Sequence, residues 1–209
     1  MKRLIIVGAG GFGREAYYLV QAINEVNAMY EIIGFLDDNP NALEGKKIKC
    51  PILGTVNDWQ PSDDEVYAIG IASCKIKEKI ANILVSKGAK FVTLIHPAAL
   101  INKEAIIGTG CIIGGRSSVG ALTRVGDFVH IAGSMVGQDA IIGDYSTTTG
   151  FSNITNAHIG KRVFIGSHAV ILNGKKVGDD AFVCAGSIVF SNVKSGTKVF
   201  GNPAKRMNF

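Results

Sequence analysis

Cysteine is scarce in this chain, with four residues in 209. Cys50, Cys74, Cys111 and Cys184 lie far apart, with no CxxC spacing and no histidine partner nearby, so neither a zinc site nor a disulfide framework is suggested. They read as small buried hydrophobes, and no metal is expected. Long apolar runs are also missing. Leu4 to Val7, after Met1-Lys2-Arg3, is too short for a secretory h-region, and nothing reaches the ~18 apolar residues of a membrane span. A cytoplasmic protein without membrane insertion is expected. Charged residues make up only 19% of the chain, and the net +5 comes from scattered groups such as Lys46, Lys47 and Lys49, or Lys75, Lys77 and Lys79, which read as solvated lysine faces. No aromatic side chains interleave them to give stacked bases a platform, so nucleic acid is not an expected partner. A modest positive excess does suit small phosphate-bearing substrates.

What is present falls into two halves. Up to about residue 95, short apolar runs alternate with helical patterns: Arg3–Val7, Arg14–Asn27, Glu31–Leu36, Val66–Ile71, Lys75–Lys87 and Phe91–Ile95. This is the grammar of βαβ units and predicts a parallel sheet with crossover helices, an α/β Rossmann-like domain over residues 1–97. From Ile101 onward an aliphatic residue recurs every six positions, as at Ile107, Ile113, Val119, Val125 and Ile131, and again from Ile159 through Ile165 and Ile171 to Val189. Two steps, Ile131 to Val136 and Ile154 to Ile159, are five residues long. Six is neither a helical period nor a hairpin spacing, and it predicts a parallel β-helix in which each unit is one short strand and a corner. The aliphatic points inward, and the glycine that usually follows, as at Gly108, Gly126 and Gly143, is expected to make the turn. Sixteen such units at three per turn make about five coils, over residues 98–209. Flat outer faces on such a solenoid predict an oligomer.

The Gly-rich opening Gly8-Ala9-Gly10-Gly11-Phe12-Gly13-Arg14-Glu15, the segment Gly34-Phe35-Leu36-Asp37-Asp38-Asn39 and the ending Gly201-Asn202-Pro203-Ala204-Lys205 complete the pattern. With the hexapeptide repeats, they resemble the sugar O- and N-acyltransferases of the sialic-acid O-acetyltransferase type and the UDP-4-amino-sugar N-acetyltransferases. The resemblance implies a left-handed β-helix, a homotrimer with sites between subunits, and acetyl-CoA as donor to an amino or hydroxyl group of a nucleotide sugar, in surface polysaccharide or glycan synthesis. Gly8, Gly10, Gly11, Phe12 and Gly13 would let the backbone approach the diphosphate at the start of a helix near Arg14. Asp37, Asp38 and Asn39 would contact the nucleoside. The same glycine spacing is also a dinucleotide fingerprint, but the sheet is too small for two mononucleotide halves. Coenzyme A would follow a groove between adjacent β-helices, near Thr147, Thr155, Gly166, Ala185 and Gly186, with Lys205 or Arg206 at its phosphates.

The chain departs from its relatives at the catalytic segment. Where they carry histidine before Asp, this chain reads Val136-Gly137-Gln138-Asp139, and a second histidine position holds Thr147. A carboxamide can orient an acceptor but cannot take its proton, whereas a placed general base is worth ~10²–10⁴ in rate. Three readings follow: positioning alone carries transfer to an already neutral amine; Asp139 or His158 serves as base; or the chain is a catalytically impaired trimeric binding or scaffold homologue. Of the other histidines, His96 reads as structural, and His130 and His168 as exposed on the outside or corners of the repeat.

Overall fold

The computed structural model describes residues 1–207. Its first half is a four-stranded parallel sheet of β1 (Lys2–Val7), β2 (Tyr30–Leu36), β3 (Ile52–Gly54) and β4 (Glu65–Ile69), in the order β3-β2-β1-β4. Leu4, Ile5, Ile6 and Val7 of β1 are wholly buried, as expected of a central parallel strand covered on both sides. Helix α1 (Gly11–Val26) follows β1 and buries Ala16, Leu19, Val20 and Ile23, spaced three and four apart. It starts at Gly11, three residues before the expected Arg14, because Arg14 N–H already bonds to the Gly10 carbonyl. Helix α2 (Cys74–Ser86) buries Cys74, Lys77, Ala81 and Leu84 on one stripe. That stripe contains a lysine.

The second half is the expected parallel coil, a left-handed β-helix. Two-residue strands stack in register on three faces. The first face carries Ile112–Ile113, His130–Ile131, Thr147–Thr148, Phe164–Ile165 and Phe182–Val183; the second runs from Leu100–Ile101 to Ile188–Val189; the third runs from Ile106–Ile107 to Lys176–Val177. In each pair the second residue points inward, so Ile113, Ile131, Ile165 and Val183 form one buried ladder and Val119, Val136, Ile154 and Ile171 another. The two five-residue steps leave this register intact: Met135 still pairs with Ser118, and His158 with Ile141. The coil begins earlier than the six-step pattern suggests, because Leu94–Ile95 already pairs with Ile112–Ile113. Phe91 is the residue that closes the first sheet, by a bridge to Tyr67.

The glycines after each aliphatic do not make the corners. The left-handed conformation falls two residues later, at Leu122, Phe128, Asp139, Tyr145 and Arg162, with φ of 55–61°. The glycines are needed because coils approach too closely there for a side chain. A Cβ at Gly143 would sit 2.6 Å from the Gly160 carbonyl carbon, and one at Gly166 2.5 Å from Ala185 nitrogen.

The two halves are packed together along the first face and the corner before it. Phe128 and Tyr145 stack at 5.3 Å, and Phe91 meets Phe128 edge-on. Arg162 pairs with Asp180 through two nitrogens and reaches Glu78 of α2 at 3.0 Å. The buried Cys74 thiol lies 3.5 Å from the Val163 carbonyl. Cys111 is also fully buried, and burial pushes its thiol up to about 12, whereas Cys50 and Cys184 are only half-buried. A thiol reagent on the native chain is expected to modify at most Cys50 and Cys184, with Cys74 and Cys111 reacting only in denaturant. Rapid native labelling of four thiols would contradict this docking.

Candidate active site

Beyond the docked half, the first face opens into a groove of about 990 Å3. Phe12, Tyr18 and Leu19 of α1 form one wall, His130, Phe164 and Phe182 the floor, and Gly133, Gly150 and Phe151 the rim at the next corner. Phe164 and Phe182 stack at 4.8 Å and Lys198 lies over Phe182, so the floor is a flat aromatic ladder with a cation at one end.

The Gly-rich loop separates this groove from a smaller cavity of about 190 Å3 at the ends of β1 and β2, lined by Gly8, Asp37, Asp38 and Ile76 among others. The glycines divide by task. Gly8 has φ +91° and makes the turn. A Cβ at Gly13 would lie 1.7 Å from the Gly8 carbonyl oxygen, so Gly13 is there for packing. A Cβ at Gly10 or Gly11 would meet nothing within 4 Å, so these two border open space. The first-turn N–H groups of α1 have no partner within the helix, and the positive end of its dipole faces the same space. Asp37 is committed to the fold: its carboxylate accepts from Ala9 N–H at 2.7 Å and Asn39 N–H at 2.9 Å. Asp38 and Asn39 are exposed beside it.

The residues expected to handle the acceptor lie elsewhere. Gln138 and Asp139 are exposed at the corner between the second and third faces, where Gln138 carbonyl accepts from Asn156 N–H. His158 is exposed on the third face, beside Ile141 in the next coil. Thr155 shares the corner of Gln138, since a Cβ on Gly137 would strike its hydroxyl at 2.7 Å. Of the expected coenzyme contacts, Gly166 and Ala185 line the groove, Gly186 is exposed next to them, and Lys205 is exposed in the terminal strand. Within one chain, therefore, Gln138, Asp139, Thr155 and His158 are not brought together with the groove.

Thr147 is fully buried beneath α2. Its hydroxyl accepts from Lys77 Nζ at 2.9 Å and donates to the Ala72 carbonyl at 2.9 Å. Lys77 Nζ also donates to the Ser146 carbonyl at 3.1 Å. Burial drives the Lys77 amine down to about 7, against a smaller upward pull from Cys74 and Cys111. His96 accepts from Ala98 N–H through Nδ1, a structural bond as expected. His168 is exposed at its corner, also as expected. His130 is the correction: it points outward from the coil but is 1% exposed, because the first half covers this face and Phe12 stacks on its ring at 5.8 Å. Both Lys77, expected with Lys75 and Lys79 on a solvated lysine face, and His130, expected to be exposed, are buried instead, because α2 and the Gly-rich loop dock on this side of the coil. For Lys77 a signal existed, since it stands on the apolar stripe of α2.

The PglD N-terminal domain model matches residues 3–84, and the hexapeptide repeat of succinyl-transferase matches residues 157–191. GDP-perosamine N-acetyltransferase of Escherichia coli O157:H7 is 30% identical, over 97% of this chain and 95% of that protein. The chain belongs to the hexapeptide-repeat sugar acyltransferases. Among solved structures, the acetyltransferase domain of PglB from Neisseria gonorrhoeae FA1090 superposes with a TM-score of 0.90 at 26% identity, covering 99% of this chain and 100% of that one. The same domain is known in complex with acetyl coenzyme A. WeeI from Acinetobacter baumannii AYE gives a TM-score of 0.84 at 27% identity, covering 98% of this chain and 99% of that one.

An acyltransferase of this family must hold a thioester beside a nucleophile and move one proton. The aromatic floor and the open loop glycines can hold two extended ligands end to end. Proton transfer is less well served at the expected position, because Gln138 has no basicity. Among the described residues no cluster of His, Cys, Asp and Glu suited to a metal ion occurs, and no helix is long and apolar enough to cross a membrane.

Proposed function

We propose that this acyltransferase moves an acetyl group from acetyl-CoA to an amino group of a nucleotide-linked sugar, in the cytoplasmic synthesis of a surface glycan. The observation that carries this reading is the groove of about 990 Å3 meeting the open glycines of the Gly-rich loop, in a chain related over its whole length to a GDP-perosamine N-acetyltransferase. In this reading residues 1–97 hold the nucleotide and residues 98–209 the donor. The diphosphate lies over Gly10, Gly11 and Phe12 at the positive end of α1, with Asp38 and Asn39 toward the nucleoside. Gly166, Ala185 and Gly186 flank the donor, with Lys205 toward its phosphates. A homotrimer brings Gln138 and Asp139 of one copy, with Thr155 and His158 beside them, to the groove of the next. Gln138 then orients the acceptor.

A thiol-release assay with acetyl-CoA and GDP-, UDP- and dTDP-linked amino sugars tests this reading. Turnover with at least one, and none with the matching hydroxyl sugar, is expected. A native chain that binds acetyl-CoA yet turns over only as Gln138→His would instead be a binding protein.

A further inference from the structure

We propose that His130, on the floor of the groove, accepts the proton released by the acceptor nitrogen during acyl transfer. This inference rests on the acetyl-transfer reading above and assigns the step for which Gln138 has no chemistry.

His130 is the buried polar residue that the fold leaves unexplained. Both ring nitrogens are shut off from solvent, and neither has a hydrogen-bond partner among the described residues. Native folds rarely leave such groups bare unless a ligand, an ion or water completes them. Here the imidazole lines the floor of the groove with both nitrogens covered, so a ligand completes one of them by displacing a covering side chain, and Phe12 is the side chain stacked on the ring. The Phe12 ring lies over it, and Phe12 is itself half-buried at the open end of the Gly-rich loop, between the groove and the smaller cavity. An acceptor whose diphosphate lies on that loop has its sugar beside this histidine.

The neighbouring rung leaves no substitute. Thr147 pairs with His130 across the adjacent strands, about 5 Å away. Its hydroxyl is already committed to Lys77 and Ala72, and it is fully buried. His130 is uncharged at rest, and the imidazolium it forms is held only transiently, because the same burial and the Lys77 charge oppose it. Burial first, and the Lys77 ammonium second, hold the imidazole well below its ordinary pKa, while the Ile69 carbonyl pulls weakly the other way. It is therefore neutral at pH 7. In the neutral imidazole one ring nitrogen carries the hydrogen, which leaves the other as a lone-pair acceptor.

A weak base is sufficient for this reaction. The neutral amine attacks the thioester carbon, its lone pair forms the C–N bond, and the C=O π pair moves to oxygen. The nitrogen is now a cationic, acidic ammonium, and His130 takes one of its protons. The oxygen pair re-forms C=O, the C–S bond breaks, and coenzyme A leaves as a thiolate that receives the proton from the imidazolium. Amine and acetyl thioester become amide and free thiol, and His130 returns to its neutral form.

Kinetics on the full-length chain test this assignment. His130→Phe keeps an aromatic ring against Phe12 and removes both nitrogens. It is expected to melt like the parent, to lose ~10²-fold or more in kcat, and to hold KM for both substrates within ~3-fold. His130→Ala should regain part of its rate when free imidazole is added. Parental kcat in both variants overturns the assignment. So does a loss of rate that accompanies a lowered Tm and is not relieved by imidazole, which marks a structural histidine. Absence of turnover in the parent chain is a different result: it removes the transferase reading, and this inference with it.

Discussion

Gly13→Ala is expected to unfold the first half of the chain, at a cost above ~4 kcal/mol. The added methyl would sit 1.7 Å from the Gly8 carbonyl oxygen, and Gly70 presses from the other side, where its own Cβ would lie 2.4 Å from the Gly13 Cα. Both obstacles are backbone, held just beyond the ends of the paired strands β1 and β4, so no side-chain rotation can relieve the clash. Gly11→Ala is the matched control. Its methyl would meet nothing within 4 Å, and alanine favours the first turn of α1 by up to ~1 kcal/mol, so Tm should hold or rise. The methyl would nevertheless enter the space assigned to the diphosphate, and KM for the nucleotide sugar should rise ~10-fold. Thermal melting and steady-state kinetics on the two variants separate the glycine needed for packing from the glycine needed for a ligand. Equal stability of both variants would contradict the close helix–strand approach.

The second large effect is a pH dependence that belongs to Lys77. Its folded pKa of about 7 lies below the value of an unfolded lysine, so between these values the unfolded chain binds the additional proton. Unfolding free energy must then rise with pH. Below pH 7 the amine is protonated in both states, and the contribution is flat. From pH 7 to pH 9 the native chain should gain roughly 2–3 kcal/mol relative to Lys77→Met. Above that range Cys111 works in the opposite direction, since burial holds its thiol protonated in the native state while the unfolded thiol ionises. Denaturant unfolding at pH 7, 8 and 9 measures the difference between parent and variant. A constant difference would mean that Lys77 titrates as an exposed lysine does. The methionine should be tolerated at pH 7, because the Ser146 carbonyl keeps the backbone N–H of His130 as a donor and the Thr147 hydroxyl keeps the Ala72 carbonyl as an acceptor.

Most of the architecture could be read along the chain, and the reason is that its determinants are local. A coil of three two-residue strands must return an aliphatic residue to the interior every sixth position, so Ile107, Ile113 and Val119 announce the fold without any knowledge of distant contacts. The parallel sheet is legible for a similar reason, because β1 ends in the unbroken apolar run Leu4 to Val7 and a helix of the right length follows it. Where inference from spacing failed, two causes coincided at one position. Glycine after each aliphatic was assigned to the turn, but the turn is made by residues such as Leu122 and Tyr145, and the glycine answers to the coil stacked upon it. Sequence spacing reports that a Cβ is excluded and does not say whether torsion or a neighbour excludes it.

The candidate site was less legible. The Gly-rich loop and the acidic pair were visible as a motif, yet the separate duties of Gly11 and Gly13, or of Asp37 and Asp38, depend on which atoms lie opposite them. His130 illustrates the limit most clearly. Its strand position makes it an outward residue of the coil, and that much follows from the repeat. Whether outward means solvent or a buried contact depends on which of three equivalent faces the first half covers.

Taken alone, the amino-acid order determined a parallel coil, a small α/β unit before it and a loop fit for phosphate, because each is written in a short period or a contiguous motif. Only the tertiary structure decided that Lys77 and His130 share a dry seam, that Thr147 is already saturated, and that Gln138 stands at a different corner from the groove. Those outcomes come from docking residues some seventy positions apart in sequence, as the bond from Lys77 to Ser146 spans 69. Burial, which sets the charge of both Lys77 and His130, is a property of that docking and of no local segment.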